Sequence, residues 1–133
     1  MTDVLVVLVV EDDPLIQTLI DEALRDGGYE PAIGASGEEA VTLLRGNRPL
    51  YRALVSDINL AGPLDGWEVA RQAREIDPAF PVIYMTGASG QQWTSHGVPN
   101  SILLSKPFAQ AQLVTAISQL LNAGSPPAAP VPG

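Results

Sequence analysis

The chain contains no cysteine. Disulfides, thiolate zinc sites, iron–sulfur clusters and cysteine nucleophiles are thereby excluded, and the absence is compatible with a reducing cytoplasm. Basic residues are scarce: 7 Lys and Arg face 15 Asp and Glu, a formal charge of −8. Such a surface repels phosphate backbones and anionic lipids, so the domain is expected to bind neither nucleic acid nor membrane. No basic segment precedes the first apolar run, and no stretch approaches the length that spans a bilayer. Neither a secretory signal nor a transmembrane helix is expected, and a soluble, cytoplasmic protein is the resulting reading. Histidine is nearly absent as well. The one copy, His96, lies between Ser95 and Gly97 in a weakly patterned stretch and reads as a surface residue.

What the chain does have is an apolar run delivered straight into acid: Val4–Asp13 reads VLVVLVVEDD. The run is too short for a membrane helix, and its valine content favours a strand over a buried helix. Apolar residues at every position, without alternation, mark a strand covered on both faces, as the central strand of a parallel sheet is. Open parallel sheets bind ligands at the carboxyl ends of their strands, beside the point where strand order reverses. Glu11, Asp12 and Asp13 lie at that end.

The remaining pattern alternates strand and helix. Pro14 suits the first turn of a helix that Asp13 is able to cap. Leu15, Ile16, Leu19, Ile20, Ala23 and Leu24 recur at helical spacing until Gly27-Gly28 stops it. Tyr29–Ala35 is a weakly marked second strand, and Ser36 with Glu39 forms a capping box for a helix to about Arg45. Ala53–Ser56 is the third strand and delivers Asp57; Asp65-Gly66 then opens a helix with Val69, Ala70, Ala73 and Ile76 inward. Pro81–Met85 is the fourth strand and delivers Thr86. Gly87–Asn100 is polar and glycine-rich and holds at best a short helix, in which Trp93 is either a core anchor or an exposed partner contact. Ile102–Leu104 makes the fifth strand, followed by Ser105, Lys106, Pro107 and a last helix carrying Leu113, Val114, Ile117, Leu120 and Leu121 inward. These elements predict one domain over residues 1–122, long enough for its own core, and a disordered Pro-rich tail or linker over 123–133. The fold class is α/β, a flavodoxin-like (βα)5 unit with a doubly wound five-stranded parallel sheet in the order 2-1-3-4-5.

Several strands thus present chemistry at one rim. The first supplies Asp12 and Asp13, the third Asp57, the fourth the Thr86 hydroxyl and the fifth Lys106. In the order 2-1-3-4-5, strands one and three flank the switch point, which brings Asp13 and Asp57 together. Clustered carboxylates raise one another's pKa unless a cation joins them, and hard carboxylate oxygens suit magnesium. Taken singly, each residue has a plain structural explanation: a cap, a loop residue, a strand end, a solvated charge. Their coincidence at the ends of four strands does not.

EDDP after the first strand, Asp57, LAGPLDGWE, MTG and SKPF together resemble the receiver domain of two-component response regulators, the CheY-like superfamily. The likeness runs from about residue 4 to about 122. It implies that Asp57 accepts a phosphoryl group from a histidine kinase or histidine phosphotransfer protein. It further implies that Asp12 and Asp13 help hold Mg2+, Asp13 more directly, with Asp57 and the backbone carbonyl of Asn59. Thr86 and Lys106 would contact the phosphoryl oxygens, and the Lys106–Pro107 peptide would be cis. Such a protein is a signalling phosphoacceptor whose self-catalysed phosphotransfer and dephosphorylation serve signalling, not an enzyme. These roles are physically sensible, because phosphoryl transfer needs in-line positioning and neutralisation of charge on the equatorial oxygens. Lys106 is a compact, mobile point charge, and the Thr86 hydroxyl can donate to an oxygen that is present only after phosphorylation.

The chain departs from the pattern in one place. Many receivers carry Tyr or Phe three residues before the lysine, where this chain has Leu103. MTGASG is similar to the loop of a receiver subgroup that lacks this aromatic, typically one-domain regulators of alphaproteobacteria. Phosphorylation is then expected to be read through Gly87–Asn100 in place of an aromatic flip. With no DNA-binding segment after the last helix, the chain resembles a stand-alone receiver, although the tail equally fits a linker to a further domain. A phosphorylation-independent pseudo-receiver is the main alternative, but a mere scaffold has no need of clustered acids. A flavodoxin would need a Ser/Thr/Gly-rich phosphate loop where EDDP stands, and a dehalogenase-type phosphatase an Asp-x-Asp after its first strand.

Overall fold

A computed structural model of the chain describes residues 5–46, 51–87 and 93–123. The valine-rich run folds into β1 (Val6–Val10), with Val7, Leu8, Val9 and Val10 all at 0% exposure, as a strand covered on both faces requires. The elements that follow are α1 (Pro14–Asp26), β2 (Glu30–Gly34), α2 (Gly37–Gly46), β3 (Tyr51–Asp57) and α3 (Gly66–Ile76). They continue with β4 (Val82–Thr86), α4 (Trp93–His96), β5 (Ile102–Ser105) and α5 (Gln110–Ala123). All strands pair in parallel, in the order β2-β1-β3-β4-β5. The doubly wound sheet expected from the alternation of elements is the fold observed.

Strand periodicity divides the core into two layers. Leu8, Val10, Leu54, Val82 and Tyr84 meet Ala40 and Leu44 of α2 and Trp67, Val69, Ala70 and Ala73 of α3. On the opposite face Val7, Val9, Ala53, Val55, Ile83 and Met85 meet Ile20, Ala23 and Leu24 of α1 and Leu113, Ala116 and Ile117 of α5. The alternation lets consecutive apolar residues serve different layers, which is why the strands show no polar gaps.

Helix starts follow the capping chemistry. Asp13 caps α1, its carboxylate accepting from the Leu15 amide at 2.9 Å, with Pro14 in the first turn. Ser36 Oγ accepts from the Glu39 amide at 3.1 Å, half of the predicted box, while the Glu39 carboxylate accepts from the Ala35 amide at 2.9 Å, one residue before the Ser36 amide the box would use. Asp65 caps α3 by accepting from Glu68 at 2.9 Å. β3 starts earlier than Ala53, because a register shift between Val6 and Val7 turns Arg52 to solvent and returns Tyr51 to the core.

The weakest expected stretch holds one short helix, α4, as anticipated; residues 88–92 lie outside the described set, as do 124–133 of the Pro-rich tail. Trp93 is a half-buried core anchor: it packs on the α2–α3 layer and its Nε1 donates to Ser101 Oγ at 2.9 Å. His96 is exposed, its ring 5.8 Å from that of Trp67. No helix among the described residues is long and apolar enough to cross a membrane.

Candidate functional site

Polar residues stand at or just past the carboxyl ends of β1, β3, β4 and β5. The Glu11 amide donates to Gly34 O at 3.1 Å, which prolongs the β1–β2 pairing by one residue and turns the Glu11 carboxylate inward, 1% exposed. Asp57 closes β3 and is 7% exposed; Thr86 closes β4 and is 2% exposed. The Lys106 amide donates to Thr86 O at 2.7 Å, so the lysine enters at a fixed height beside β4. The peptide that follows it, Lys106–Pro107, is cis, as expected.

These backbones bring the charges together. Lys106 Nζ lies 2.9 Å from Glu11 Oε1 and 3.3 Å from Asp57 Oδ2. Glu11, Asp12 and Asp57 each offer a carboxylate oxygen, all within 4.8 Å of one another. Asp12 Oδ2 accepts from the Ala61 amide at 3.3 Å, and the Asn59 amide donates to the Asp57 carboxylate. Gly66 lets α3 approach β3, since a Cβ there would sit 2.2 Å from Asp57 O. The loop between β3 and α3 is held from α2, where Glu38 Oε2 accepts from the Leu64 amide at 3.2 Å.

The electrostatics follow from burial. Desolvation raises the Asp57 carboxyl above its ordinary value, against the opposing pull of the Lys106 ammonium. Desolvation likewise raises Glu11, although the hydrogen bond from Lys106 works the other way. For Lys106, burial favours the neutral amine, but the Glu11 hydrogen bond and the Asp57 charge outweigh it and the pKa rises. With all groups ionised, three carboxylates (−3) and one ammonium (+1) leave −2 in the cluster. Carboxylate oxygens at this spacing with that residual charge fit a hard divalent cation such as Mg2+.

Of the six expected site residues, five lie at this rim and one is engaged elsewhere. Asp12, Asp57 and Lys106 converge, Thr86 stands at the adjacent strand end, and Asn59 contacts Asp57 through its amide. Asp13 does not join the carboxylate cluster: its side chain is engaged in capping α1, and Glu11 takes the place assigned to it. The physical reason is the β1–β2 pairing, which carries extended backbone one residue past Val10, so that Glu11 points into the rim and Asp13 falls at the helix start. The sequence signal for Glu11 was its position immediately after the apolar run, where a buried acid needs a cation, and Lys106 is that cation.

A doubly wound parallel sheet with an acid cluster at its switch point and a lysine just past the edge strand is the arrangement of an α/β receiver-type domain. The chain belongs to the response regulator receiver domain family, whose model matches residues 7–118. It is 32% identical over 126 residues to the response regulator MprA of Mycobacterium sp. (strain KMS), a match covering 93% of this chain and 54% of MprA. It is 35% identical over 118 residues to the transcriptional regulatory protein PrrA of Mycobacterium tuberculosis (strain ATCC 25618 / H37Rv), covering 87% and 49%. The chain thus spans about half the length of these regulators. Among solved structures, a response regulator receiver protein from Sinorhizobium medicae WSM419 superposes with a TM-score of 0.88 at 41% identity, covering 91% of this chain and 97% of that one. The receiver domain of the sensor histidine kinase PA1611 from Pseudomonas aeruginosa PAO1 superposes with a TM-score of 0.77 at 29% identity, covering 90% and 99%. That structure has a magnesium ion coordinated in its active-site cleft.

Proposed function

We propose that Asp57 accepts a phosphoryl group from the phosphohistidine of a histidine kinase or histidine phosphotransfer protein, in a Mg2+-dependent reaction, and so switches binding to a downstream protein. The observation that carries this reading is the ammonium of Lys106 standing 3.3 Å from the Asp57 carboxylate beside a cluster of three acids, two of them buried. An Asp57 oxygen attacks phosphorus as the bond from phosphorus to the donor's imidazole nitrogen breaks, and the electron pair leaves with the imidazole. Asp12, Asp57 and the Asn59 carbonyl are the residues that would hold Mg2+, with Glu11 adjoining them. When bound, the ion supplies positive charge to the equatorial phosphoryl oxygens. Lys106 supplies positive charge from the β5 side, and Glu11 keeps its ammonium at the right height until phosphoryl oxygens compete for it. The Thr86 hydroxyl donates to a phosphoryl oxygen. Self-catalysed loss of the group resets a signal, so the domain is a phosphoacceptor and not a turnover enzyme.

Beside the rim runs a surface suited to the donor. Leu15 and Leu19 of α1 are 77% and 55% exposed, and they flank a groove of about 300 Å3 lined by Ile16, Ile20, Ala23 and Phe108 that ends at Lys106 and Pro107. An amphipathic helix carrying the phosphohistidine would lay its apolar stripe there and bring phosphorus to Asp57. A cytoplasmic setting accords with the cysteine-free composition.

Incubation with Mg2+ and acetyl phosphate or phosphoramidate, followed by intact-mass measurement, tests the reading. One phosphoryl adduct, absent in Asp57→Ala, is expected. A chain that stays unmodified while a small-molecule donor phosphorylates a control receiver would select the pseudo-receiver.

A further inference from the structure

We propose that Tyr84 reports the phosphoryl state of the pocket to the segment between β4 and β5, through the hydrogen bond its hydroxyl accepts from the Val98 amide. This rests on Asp57 being a phosphoacceptor. The chain has Leu103 where an aromatic switch is expected, and Leu103 has no polar atom with which to make or lose a bond. Its register partner on β4 is Tyr84. Tyr84 is fully buried, and its oxygen lies 3.0 Å from the Val98 amide, which belongs to the loop leading into β5.

The partner of that bond is one end of a closed set of contacts. Val98 O accepts from Ser101 Oγ at 2.7 Å, and Ser101 Oγ accepts from Trp93 Nε1 at 2.9 Å. The Gly97 amide in turn donates to Trp93 O at 2.8 Å. Gly97 also packs so tightly on the indole that a Cβ would come within 2.4 Å of Trp93 Cδ1. Trp93–Ser101 therefore moves as one unit. Arg74 ties it to α3 by donating to Pro99 O at 2.6 Å, and the Trp67 ring meets those of Tyr84, at 4.7 Å, and His96, at 5.8 Å, in tilted contacts.

Tyr84 and Thr86 are two residues apart on β4, so their side chains leave the same face of the strand. A phosphoryl group on Asp57 offers the Thr86 hydroxyl a new acceptor and draws that strand end toward it. Tyr84 is carried along, and a directional bond between hydroxyl and amide registers a shift of a few tenths of an ångström. The reporter thus sits on β4 and works by an exchanged hydrogen bond, with no ring rotation required.

The test is amide hydrogen exchange on the whole chain with and without Mg2+ and acetyl phosphate, with the intact mass read from each sample. In the wild type, phosphorylation is expected to change exchange across Trp93–Ser101. Tyr84→Phe keeps the ring against Trp67 and removes only the oxygen. It should take up phosphoryl to the wild-type extent, exchange the Val98 amide roughly five- to tenfold faster before phosphorylation, and show no further change after it. Ser101→Ala removes one of the two links to Trp93 and leaves the Gly97–Trp93 backbone bond, so it should keep the response at Val98 and weaken it at Trp93. A phosphorylated Tyr84→Phe protein that responds as the wild type does overturns the proposal. So does a phosphorylated wild type with unchanged exchange over Trp93–Ser101. Absence of any adduct in the wild type overturns the reading of Asp57 itself, and the mass distinguishes that failure from the others.

Discussion

Glu11 and Lys106, 95 residues apart, are joined by a hydrogen bond of 2.9 Å in which the acid is 1% exposed and the lysine side chain 22% exposed. The pair ties the end of β1, an inner strand, to the loop after the edge strand β5. Removing the ammonium leaves Glu11 and Asp57 without their cation in a desolvated site. Lys106→Ala is expected to cost about 3 kcal/mol in urea unfolding, the low end for a broken buried pair because the lysine keeps some contact with water. Glu11→Gln combined with Lys106→Ala should recover a substantial part of that loss. Additive losses in the double-mutant cycle would show that the two residues do not interact.

Asp12 and Asp13 are neighbours with different tasks. Asp13→Ala removes a helix cap and should lower stability by about 1 kcal/mol while leaving Mg2+ affinity nearly unchanged. Asp12→Ala should weaken Mg2+ binding tenfold or more, about 1.4 kcal/mol, with little loss of stability. Urea unfolding and magnesium titration by calorimetry measure both. Strong loss of magnesium binding in Asp13→Ala alone would restore it to the metal site.

The raised carboxyls predict a pH dependence of definite sign. Glu11 and Asp57 bind protons more tightly folded than unfolded, since burial raises them above 4.5 and 3.8. Their contribution to stability is therefore fully present below the unfolded values and lost as pH rises through the folded ones. Lys106, raised above 10.5, contributes throughout that range and loses its contribution only in strong alkali. In EDTA, wild-type stability relative to a Glu11→Gln, Asp57→Asn variant should decline as pH rises through the carboxylate range. With Mg2+ the trend reverses, because protons compete with the metal. Parallel curves for the two proteins in EDTA would remove the burial effect from the account.

The exposed leucines of α1 separate docking from chemistry. Leu15→Ser with Leu19→Ser should slow phosphotransfer from a phosphohistidine protein roughly tenfold, the loss of one or two buried side chains at an interface. Phosphorylation by acetyl phosphate should stay at the wild-type rate. Equal slowing with both donors would place the leucines in the pocket's own support.

The architecture was legible because its signals are redundant. Apolar strands without alternation, helical spacing between them and capping residues at the first three helix starts all point to one fold, and Asp57, Thr86 and Lys106 stand at or just past the ends of β3, β4 and β5. EDD was not legible in the same way. Three adjacent acids cannot be assigned to pocket or cap until the end of β1 is known to a residue, and a slip of one residue reverses which side chain points inward. The closed set around Val98 was also out of reach. Its members, Arg74, Tyr84, Trp93 and Ser101, are brought together by tertiary packing and share no spacing in the chain.

The most direct test of the central claim is peptide-level mapping of the adduct formed with acetyl phosphate in Mg2+ and in EDTA. The account predicts one phosphoryl group, formed only with Mg2+ and confined to the peptide bearing Asp57. An adduct elsewhere in the chain, or one that forms equally well in EDTA, would contradict it.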